Sequence, residues 1–462
     1  MKLLTIVYMK CRGAALILTM IFILIFSALA VSMATVSGTN VQLASNQHKV
    51  GCALASAESG LEVMRYWLSS VEIPGSTLPS NYLSAIADNL QNDLTAYGIS
   101  NVTVNCDGSS ITIPSVTLNL AKKQSFYAAI APTPLDPNAL QINVTGRYDQ
   151  ITRTIRVNYN LEPDRHPIFD YGIATKGPLN TQGSPNVDGL NQSIEADVYI
   201  ESENNNDALS MQGNSSIAGD ISIANPDAIP SVSNSSSIGG ETGQDAIDNH
   251  VDIGVPSIDF PVPNPAAFEN YVKNIFDPDT DTTTDMTLEN IRIPAGINPH
   301  FSGNVILKGI IFIESPNIVK FTGNTDIIGI IIGNGDLDLP SEENQLIFLG
   351  NVDSRSVSEL GGEFGDLRQE TGTFLLAPGF NASFGGSFET INGVIAASGI
   401  EFFGNAGGTV NGSVINYGEN PMSLVGSVDL VFNRYDLTKV PAGFVPEIVL
   451  QYDPSSYSEI MQ

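Results

Sequence analysis

The chain has few basic residues for its length. Of its 462 residues, 20 are Lys or Arg and 49 are Asp or Glu, which gives a formal net charge of −29. A surface of this charge repels nucleic acid and anionic lipid, so we expect no nucleic-acid partner. Only 15% of the residues are charged, and 42 Gly with 26 Pro predict many turns and few surface helices. The length leaves room for two or three domains.

Cysteine, histidine and the short motifs of common enzymes are also scarce. The three cysteines are Cys11, Cys52 and Cys106. In an oxidising compartment Cys52 and Cys106 could form one disulfide, or Cys52 could be a small packed residue of a helix. The four histidines are scattered, and no Gly-x-Ser-x-Gly, His-Glu-x-x-His, P-loop or Cys-x-x-Cys motif occurs. We therefore expect no enzymatic activity.

Charged residues are absent from a long N-terminal stretch, since none lies between Arg12 and Lys49. The apolar part of this stretch, residues 14–34, covers as a helix about 31 Å, the hydrocarbon core of one bilayer. Basic residues precede it, and no acidic residue occurs before Glu58. This asymmetry predicts a cytoplasmic N-terminus, a single pass through the inner membrane and an exported C-terminal part.

Three interpretations of this stretch differ in how the chain continues after it. A secretory signal peptide would end at the small-residue triplet Ala28-Leu29-Ala30. Against this, no proline occurs before Pro74, and apolar residues recur at helical spacing well beyond the triplet. They form one seam, which consists of Val50, Leu54, Ala57, Leu61, Met64 and Leu68. We therefore favour one helix over residues 14–70, and a plain membrane anchor is the third interpretation.

The start of the chain resembles class III prepilins, the precursors of type IV pilins and of type II secretion pseudopilins. The resemblance rests on a short basic leader that ends in Gly13 and on a long uncharged helix that continues into an amphipathic half. The segment 43–62 resembles, more narrowly, PilX-type minor pilins, and the residues that carry this are Ala44, Asn46, Ala57, Glu58, Gly60 and Leu61.

The resemblance covers only the N-terminal region and implies how the chain is processed. Prepilin peptidase would remove residues 1–13 by cutting between Gly13 and Ala14. The partners would be other pilins or pseudopilins, first in the inner membrane and, after assembly, in a filament at the cell surface.

One position departs from the pattern of major pilins. Their fifth mature residue is a Glu that pairs with the N-terminal amine of a neighbouring subunit, whereas the fifth residue from Ala14 is Leu18. Some minor subunits resemble this chain in lacking the Glu, so we expect a scarce subunit at the filament tip. Residues 36–40 combine β-branched residues with Gly38, and this part of the helix could stay intact or loosen in a filament.

Residues 71–165 predict a small α/β domain. Residues 81–97 have a helical pattern, and strands are predicted over 101–106 and 110–120, followed by a hairpin over 140–161. A long helix followed by such a meander resembles a pilin head.

Residues 166–436 predict an all-β solenoid. Short apolar runs alternate with Gly, Asn and Asp, and an aromatic-x-Gly-polar tetrad recurs as FSGN 301–304, FTGN 321–324, FLGN 348–351, FGGS 384–387 and FFGN 402–405. The spacing indicates a unit of about 18 to 20 residues, the length of one turn of a parallel β-helix. A β-sandwich is the alternative.

The predicted fold class is therefore α+β, with a long pilin-like helix, a small α/β head and a C-terminal parallel β-helix. Residues 240–290, rich in Pro and Asp, predict an excursion from the solenoid. Residues 437–462 are predicted to be a C-terminal tail.

The excursion contains the only metal-like pattern of the sequence. Carboxylates stand at positions 1, 3, 5 and 9 of an EF-hand-like loop that would suit Ca²⁺, and they belong to Asp277, Asp279, Asp281 and Asp285. The sixth position is Thr282 rather than Gly, and the twelfth is Leu288 rather than Glu. A solvated acidic loop without a cofactor is the alternative.

Together these patterns predict a minor pilin or pseudopilin of a type IV pilus or type II secretion filament, which assists assembly or surface adhesion. The alternative is a secreted or membrane-anchored β-helix protein that acts as an adhesin or on glycans. A lyase for acidic sugars would need basic residues, and residues 292–434 contain only Arg292, Lys308, Lys320, Arg355, Arg368 and Arg434.

Overall fold

The computed structural model describes residues 12–75, 77–133, 136, 138–340, 342–434 and 440–460, with only the backbone for residues 12–14. Most of the expected leader and part of the expected C-terminal tail therefore lie outside the described residues. The described chain forms two compact units. The head unit comprises residues up to 73, 77–162 and 448 onwards, and the stack unit comprises residues 74–76 and 163–447.

The head unit contains two helices and a seven-stranded sheet. Its elements are α1 (Arg12–Leu68), β1 (Glu72–Pro74), α2 (Tyr82–Ala96), β2 (Asn105–Cys106), β3 (Ile111–Asn119), β4 (Gln124–Pro132), β5 (Ala139–Tyr148), β6 (Ile151–Asp164) and β33 (Glu447–Ile460).

The regular secondary structure of the stack unit is mostly β-strand. They are β7 (Ile173–Thr175), β8 (Leu179–Gly183), β9 (Asn186–Gly189), β10 (Val198–Ile200), β11 (Leu209–Gly213), β12 (Ser216–Ile217), β13 (Ile221–Ile223), β14 (Ser231–Val232), β15 (Ser237–Ile238), β16 (Glu241–Thr242), β17 (Val251–Ile253), β18 (Asn274–Ile275), β19 (Met286–Ile293), β20 (His300–Phe301), β21 (Val305–Glu314), β22 (Ile318–Phe321), β23 (Thr325–Asn334), β24 (Gln345–Phe348), β25 (Val352–Arg355), β26 (Thr373–Phe384), β27 (Ser387–Asn392), β28 (Val394–Gly404), β29 (Gly407–Asn411), β30 (Val414–Asn416), β31 (Met422–Gly426) and β32 (Asp429–Phe432). The described part of the unit also contains one α-helix, α3 (Gly243–His250), which precedes β17, and five short 3-10 helices.

Helix α1 runs without interruption through the apolar segment and the predicted seam. Its 57 residues correspond to a length of about 85 Å. The C-terminal half packs on the head sheet, and Ala57, Leu61, Met64 and Leu68 of the seam are all buried. The helix passes straight through the Ala28-Leu29-Ala30 triplet.

The head sheet has the order β1-β33-β6-β5-β4-β3-β2. Strands β2 to β6 pair antiparallel with their neighbours in the chain, and β5 and β6 form the predicted hairpin. The predicted tail is wrong for residues 447–460, because β33 is inserted between β1 and β6. Leu450 of β33 is buried, and the Tyr452 ring lies 5.4 Å from that of Tyr159. Strand β4 was also not predicted.

The stack unit is built from strands that pair in parallel with strands of the next turn, and the step along the chain varies: it is 18 residues from Asn381 to Gly399 and 36 residues from Gln345 to Asn381. Val305 pairs with Thr325, and Thr325 pairs with Val352. This parallel pairing differs from the antiparallel sheets of a β-sandwich. The coarse prediction of a long helix followed by a large β-rich part is confirmed.

The aromatic residues of the recurring tetrads form one column of stacked rings, which we call the phenylalanine column. These residues are paired in register from strand to strand, with neighbouring ring centroids 5.0 or 5.1 Å apart; they are Phe301, Phe321, Phe348, Phe384 and Phe402. A Cβ atom on Gly323 would overlap the carbonyl oxygen of Gly303 below it, and the same holds for Gly350 above Gly323. The tetrad therefore combines a stacked ring inside with a backbone that must approach its neighbour closely.

Several strands of the stack are apolar on both faces. In β21, Leu307 and Ile311 belong to the inner core, whereas Ile310 and Phe312 belong to a second apolar cluster on the outer face. Residues of the excursion cover this second cluster, and Phe268 is buried in it. The excursion is shorter than the predicted 240–290, since β17 still pairs with β13 and regular pairing resumes at β19.

The order of the strands in space differs from their order in the chain. Strands β7 to β9 come first in the unit, yet they pair with β10 to β12 on one side and with β30 to β32 on the other. The first turn of chain therefore lies inside the stack, between the second turn and the last.

Candidate filament-assembly helix

The N-terminal half of α1 is an exposed apolar surface. Residues 15–48 are all exposed, and they include Leu16 at 65%, Phe22 at 51% and Leu24 at 68%. Within the described part of the chain, this is the one helix that is long and apolar enough to cross a membrane. Covering such a surface with a membrane or with other helices is favourable by about 25 cal/mol per Å².

Three threonine hydroxyls in this half are bonded within the helix. The hydroxyl of Thr19 donates to the Leu16 carbonyl at 2.9 Å, that of Thr35 to Val31 at 2.8 Å and that of Thr39 to Thr35 at 2.9 Å. Hydroxyls satisfied in this way are tolerated in an apolar environment. Leu18 is 58% exposed, so the predicted site of the missing carboxylate is open to a neighbour.

Residues 36–40 remain helical in the structure. No atom lies within 4 Å of a Cβ placed on Gly38, so the folded monomer does not require glycine at this position for packing. In the separate chain, residues 36–40 are therefore an intact part of the helix.

The predicted motif residues of α1 divide between two environments. Asn46 and Glu58 are exposed, whereas Ala57, Gly60 and Leu61 are buried against the head sheet. A Cβ on Gly60 would overlap the ring of Phe126. Three of the residues expected to serve assembly thus hold the helix on its own head unit.

The close helix–sheet contact has a partner that the sequence pattern did not reveal. A Cβ on Gly146 of β5 would overlap the backbone of Ala53 and Ala57. Small residues on both surfaces let the two backbones approach. The signal available in the sequence was Gly146 in a strand otherwise made of larger residues, because glycine in a strand interior often marks such an approach.

Charged and aromatic side chains join α1 to strand β33. Arg65 forms the expected ion pair with Glu62 at 2.9 Å, and its guanidinium lies 4.6 Å from the ring centroid of Tyr452. Burial raises the pKa of Tyr159, and the nearby Arg65 opposes this rise. The buried Tyr159 of β6 packs against Tyr452 of β33, and this aromatic pair attaches β33 to the rest of the head unit.

The four carboxylates of the predicted calcium loop are all exposed. Two of them accept backbone hydrogen bonds from different partners: Asp277 accepts from the Asp279 amide at 3.0 Å, and Asp285 accepts from the Asn304 amide at 3.0 Å. Hydrogen bonds from the Thr283 side chain and amide hold the pKa of Asp281 below its usual value. No group of three or more His, Cys, Asp or Glu in the described part of the chain could hold a metal ion.

The start of this loop instead closes one end of the phenylalanine column. The ring of Phe276 meets that of Phe301 edge to face, with centroids 5.7 Å apart. The amide of Ser302 donates to the Thr282 carbonyl at 2.9 Å. The solvated acidic loop between them therefore lies against the end of the stack at β20.

The cysteines and histidines do not form a common site. Cys52 and Cys106 are both free, and Cys52 Sγ lies 3.7 Å from His48 Nε2. His166 lies 3.1 Å from Glu447, and His250 lies 2.7 Å from Asp220. Cys11 lies outside the described residues.

Comparison with known proteins assigns the N-terminal helix to a class. Residues 12–62 match the family model for the PilX N-terminal region. The chain therefore has a pilin-type N-terminal region, and within that class it is of the PilX type.

The comparisons for the whole chain are weaker. One similar solved structure is the competence-associated pilin ComZ from Thermus thermophilus, which is 10% identical, with 90% of this chain and 98% of that chain covered and a TM-score of 0.27. No curated protein matches the chain.

Proposed function

We propose that this chain is a minor pilin or pseudopilin, a structural subunit of a type IV pilus or type II secretion filament. The observation that carries the proposal is the position of the PilX-type match. It covers residues 12–62, and residues 15–48 of that segment form the exposed apolar half of α1. A helix of this kind suits a subunit that is held in a membrane and then packs among other helices in a filament.

Processing would precede assembly. Prepilin peptidase would cut between Gly13 and Ala14, and the mature chain would remain in the inner membrane with its C-terminal part exported. The partners would be other pilins or pseudopilins, whose helices would cover the apolar half of α1.

We further propose that the stack unit is a parallel β-helix that supports assembly or adhesion. The parallel pairing of strands from successive turns and the phenylalanine column support this assignment. The unit needs no enzymatic role, no metal and no cofactor in this proposal.

The tip is the proposed position in the filament. Leu18 offers no carboxylate to the amine of another subunit, while the chain's own N-terminal amine can still pair with a neighbour's Glu. The part of the chain that follows α1 is also too large to repeat along a tightly packed shaft. Both arguments place the subunit where nothing has to dock above it.

Mass spectrometry of protein extracted from membranes tests the processing. We expect Ala14 at the mature N-terminus, N-methylated as in the family. A mature N-terminus at Val31 would indicate a signal peptide and would support the alternative, a secreted β-helix protein that acts as an adhesin or on glycans.

Labelling of filaments tests the position. Immunogold particles against the stack unit should lie at filament ends. Leu18→Glu should increase incorporation, because it restores the carboxylate, whereas Ile17→Glu puts the carboxylate on another side of the helix and should not. Labels spread evenly along the shaft of wild-type filaments would contradict the tip assignment.

A further inference from the structure

Basic residues gather at one corner of the head unit although the chain as a whole is strongly acidic. Lys49 of α1, Lys123 of the β3–β4 turn and Arg147 at the end of β5 all contact Asp149, and Lys122 precedes Lys123 in the chain. We call these five residues the basic corner. The basic corner is positive, whereas the chain as a whole is negative. The overall negative charge alone would predict repulsion of anionic lipid.

The contacts within the basic corner leave it positive. Asp149 Oδ2 lies 3.7 Å from Lys49 Nζ, and Asp149 Oδ1 lies 3.8 Å from Lys123 Nζ. Arg147 donates from Nε to the Asp149 carbonyl at 2.7 Å. One carboxylate thus faces two ammonium groups, and the guanidinium of Arg147 and the ammonium of Lys122 add further positive charge. The Lys123 side chain is 75% exposed.

Exposed leucines lie beside these charges. Leu120 is 84% exposed and Leu118 is 38% exposed, and both are in the segment that leads into Lys122. Two apolar side chains next to cationic ones are typical of a surface that rests in the headgroup layer of a bilayer, where the leucines enter the acyl boundary and the lysines meet phosphates.

The basic corner lies at the end of the head unit from which the apolar half of α1 emerges. Lys49 is the first residue of α1 that is partly buried, and every described residue from 15 to 48 is exposed. The basic corner therefore lies next to the part of α1 that would span the membrane.

The length of α1 allows this corner to reach the bilayer surface. From Arg12 to Lys49 the continuous helix rises about 55 Å. A bilayer with its headgroups is about 40–45 Å thick, and membrane helices tilt by up to about 40°. At about 40° the rise along the membrane normal falls to roughly 43 Å. Arg12, or after cleavage the amine of Ala14, then lies in the headgroup layer opposite to that of Lys49.

We propose that the basic corner docks on the outer face of the membrane that α1 spans, through anionic phospholipid headgroups. The helix is then held by cations at both ends and tilted, with the head unit on the lipid surface. This docking needs α1 to span a membrane, but it does not depend on cleavage at Gly13 or on a place in a filament. An acidic protein surface would satisfy the lysines, but it would leave Leu118 and Leu120 without an apolar environment.

The test uses the full chain in nanodiscs that contain brominated phospholipid, which quenches nearby tryptophan. Leu120→Trp introduces the probe, and the native Trp67, 8% exposed in the head core, gives a constant background. Leu78→Trp is the matched control, since Leu78 is also exposed, at 65%, but follows the opposite end of the packed half of α1.

We expect the added tryptophan at 120 to be quenched strongly in discs rich in phosphatidylglycerol and the one at 78 to stay unquenched. Quenching at 120 should fall in phosphatidylcholine discs, in about 1 M salt, where charges are screened within about 3 Å, and in the Lys122→Glu/Lys123→Glu background. Unchanged Trp67 emission in that background shows that the fold is retained.

Two results would overturn the proposal. One is an unquenched Leu120→Trp in anionic discs. The other is quenching that is equal in neutral discs and insensitive to charge reversal. If the probe is unquenched and Lys122 forms salt-sensitive crosslinks to the acidic surface of a second copy, the basic corner is a protein contact instead. Correct processing with either result would leave the proposed pilin function intact.

Discussion

Single glycines decide how closely elements of the head unit approach each other. Gly146 lies where α1 crosses the sheet, and any side chain there would overlap the backbone of Ala53 and Ala57. Gly51 of α1, in contrast, has no atom within 4 Å of the position that a Cβ would take. The same residue type is therefore required at one position and replaceable at the other.

Replacement of these two glycines should change stability in opposite directions. Gly146→Ala should lower the free energy of unfolding by about 1–3 kcal/mol, because it overpacks the helix–sheet contact. Gly51→Ala should raise it by up to about 1 kcal/mol, because alanine favours the helix. Urea unfolding followed by the fluorescence of Trp67 measures both, since this residue reports the head unit. Equal effects of the two variants would contradict the described contact.

One buried carboxylate should make the stack unit sensitive to acid. Glu195 is 4% exposed, and burial alone would raise its pKa. Hydrogen bonds from the amides of Asn191, Gln192 and Arg434 outweigh burial and lower the pKa below the usual 4.5. A lowered pKa in the folded state stabilises the protein above the unfolded pKa, and this contribution is lost as the pH falls through the folded value.

Glu195→Gln tests this contribution. At pH 7 the variant should be less stable than the wild type by about 1–3 kcal/mol. The difference should shrink as the pH is lowered below about 4.5, because the wild type then loses its carboxylate. Denaturation followed by far-UV circular dichroism at several pH values measures it, with the exposed Glu389→Gln as control. A pH-independent difference would argue against the ionised state.

Among the elements, the phenylalanine column joins successive strands of the stack. Its rings lie nearly parallel, with interplanar angles of 13°, 6°, 8° and 15° along the column. Phe402 is fully buried at the end of this series, and the next residue, Phe403, lies on the other face of β28 and is only partly buried. Two adjacent residues of one type thus differ only in the side of the strand they occupy.

Phe402→Ala should therefore destabilise the stack unit by about 3–5 kcal/mol, the usual range for a buried aromatic residue. Phe403→Ala should have a clearly smaller effect, because less of its surface is buried. Thermal unfolding of the two variants compares them directly. A larger loss for Phe403→Ala would mean that β28 presents the opposite face to the core.

For the whole molecule, the decisive feature is that the stack unit is closed by its last strands. Strands β30 to β32 cover β7 to β9, so the first turn of chain is buried only when the final turn is in place. In the order of pairing, β17 lies on one side of the contact between β7 and β30, and β18 and β19 lie on the other side. The excursion carries the chain from the first side to the second. The stack therefore depends on contacts between its two ends in sequence.

Truncation should reveal this dependence. A fragment of residues 163–447 should fold alone into a β-rich, protease-resistant unit, and chelators should not change its unfolding temperature. A fragment of residues 163–412 lacks β30 to β32, so it exposes two strand edges and should be aggregation-prone or readily digested. Circular dichroism and limited proteolysis compare the two fragments. Equal resistance would show that the first turn needs no cover.

The sequence by itself determined the features that depend on local patterns. Helix α1, its buried seam, α2 and the β5–β6 hairpin follow from apolar spacing and from the absence of proline before Pro74. The tetrads predicted a repeat in the C-terminal part, and the structure explains them by stacked rings and close backbones. The apolar N-terminal helix was predictable as a candidate site because it needs no partner from the rest of the chain.

Only the tertiary structure decided which distant segments meet. Strand β33 joins the head sheet although Asp453, Pro454 and two serines obscure its pattern, because pairing with β6 and the burial of Leu450 compensate for weak local preference. The order of turns in the stack, the burial of Ala57 and Gly60 on the head, and the separate bonding of the Asp277–Asp285 carboxylates also depend on long-range contacts. The basic corner is the clearest case: its four cations come from a helix, a turn and a strand, and only the fold brings them together.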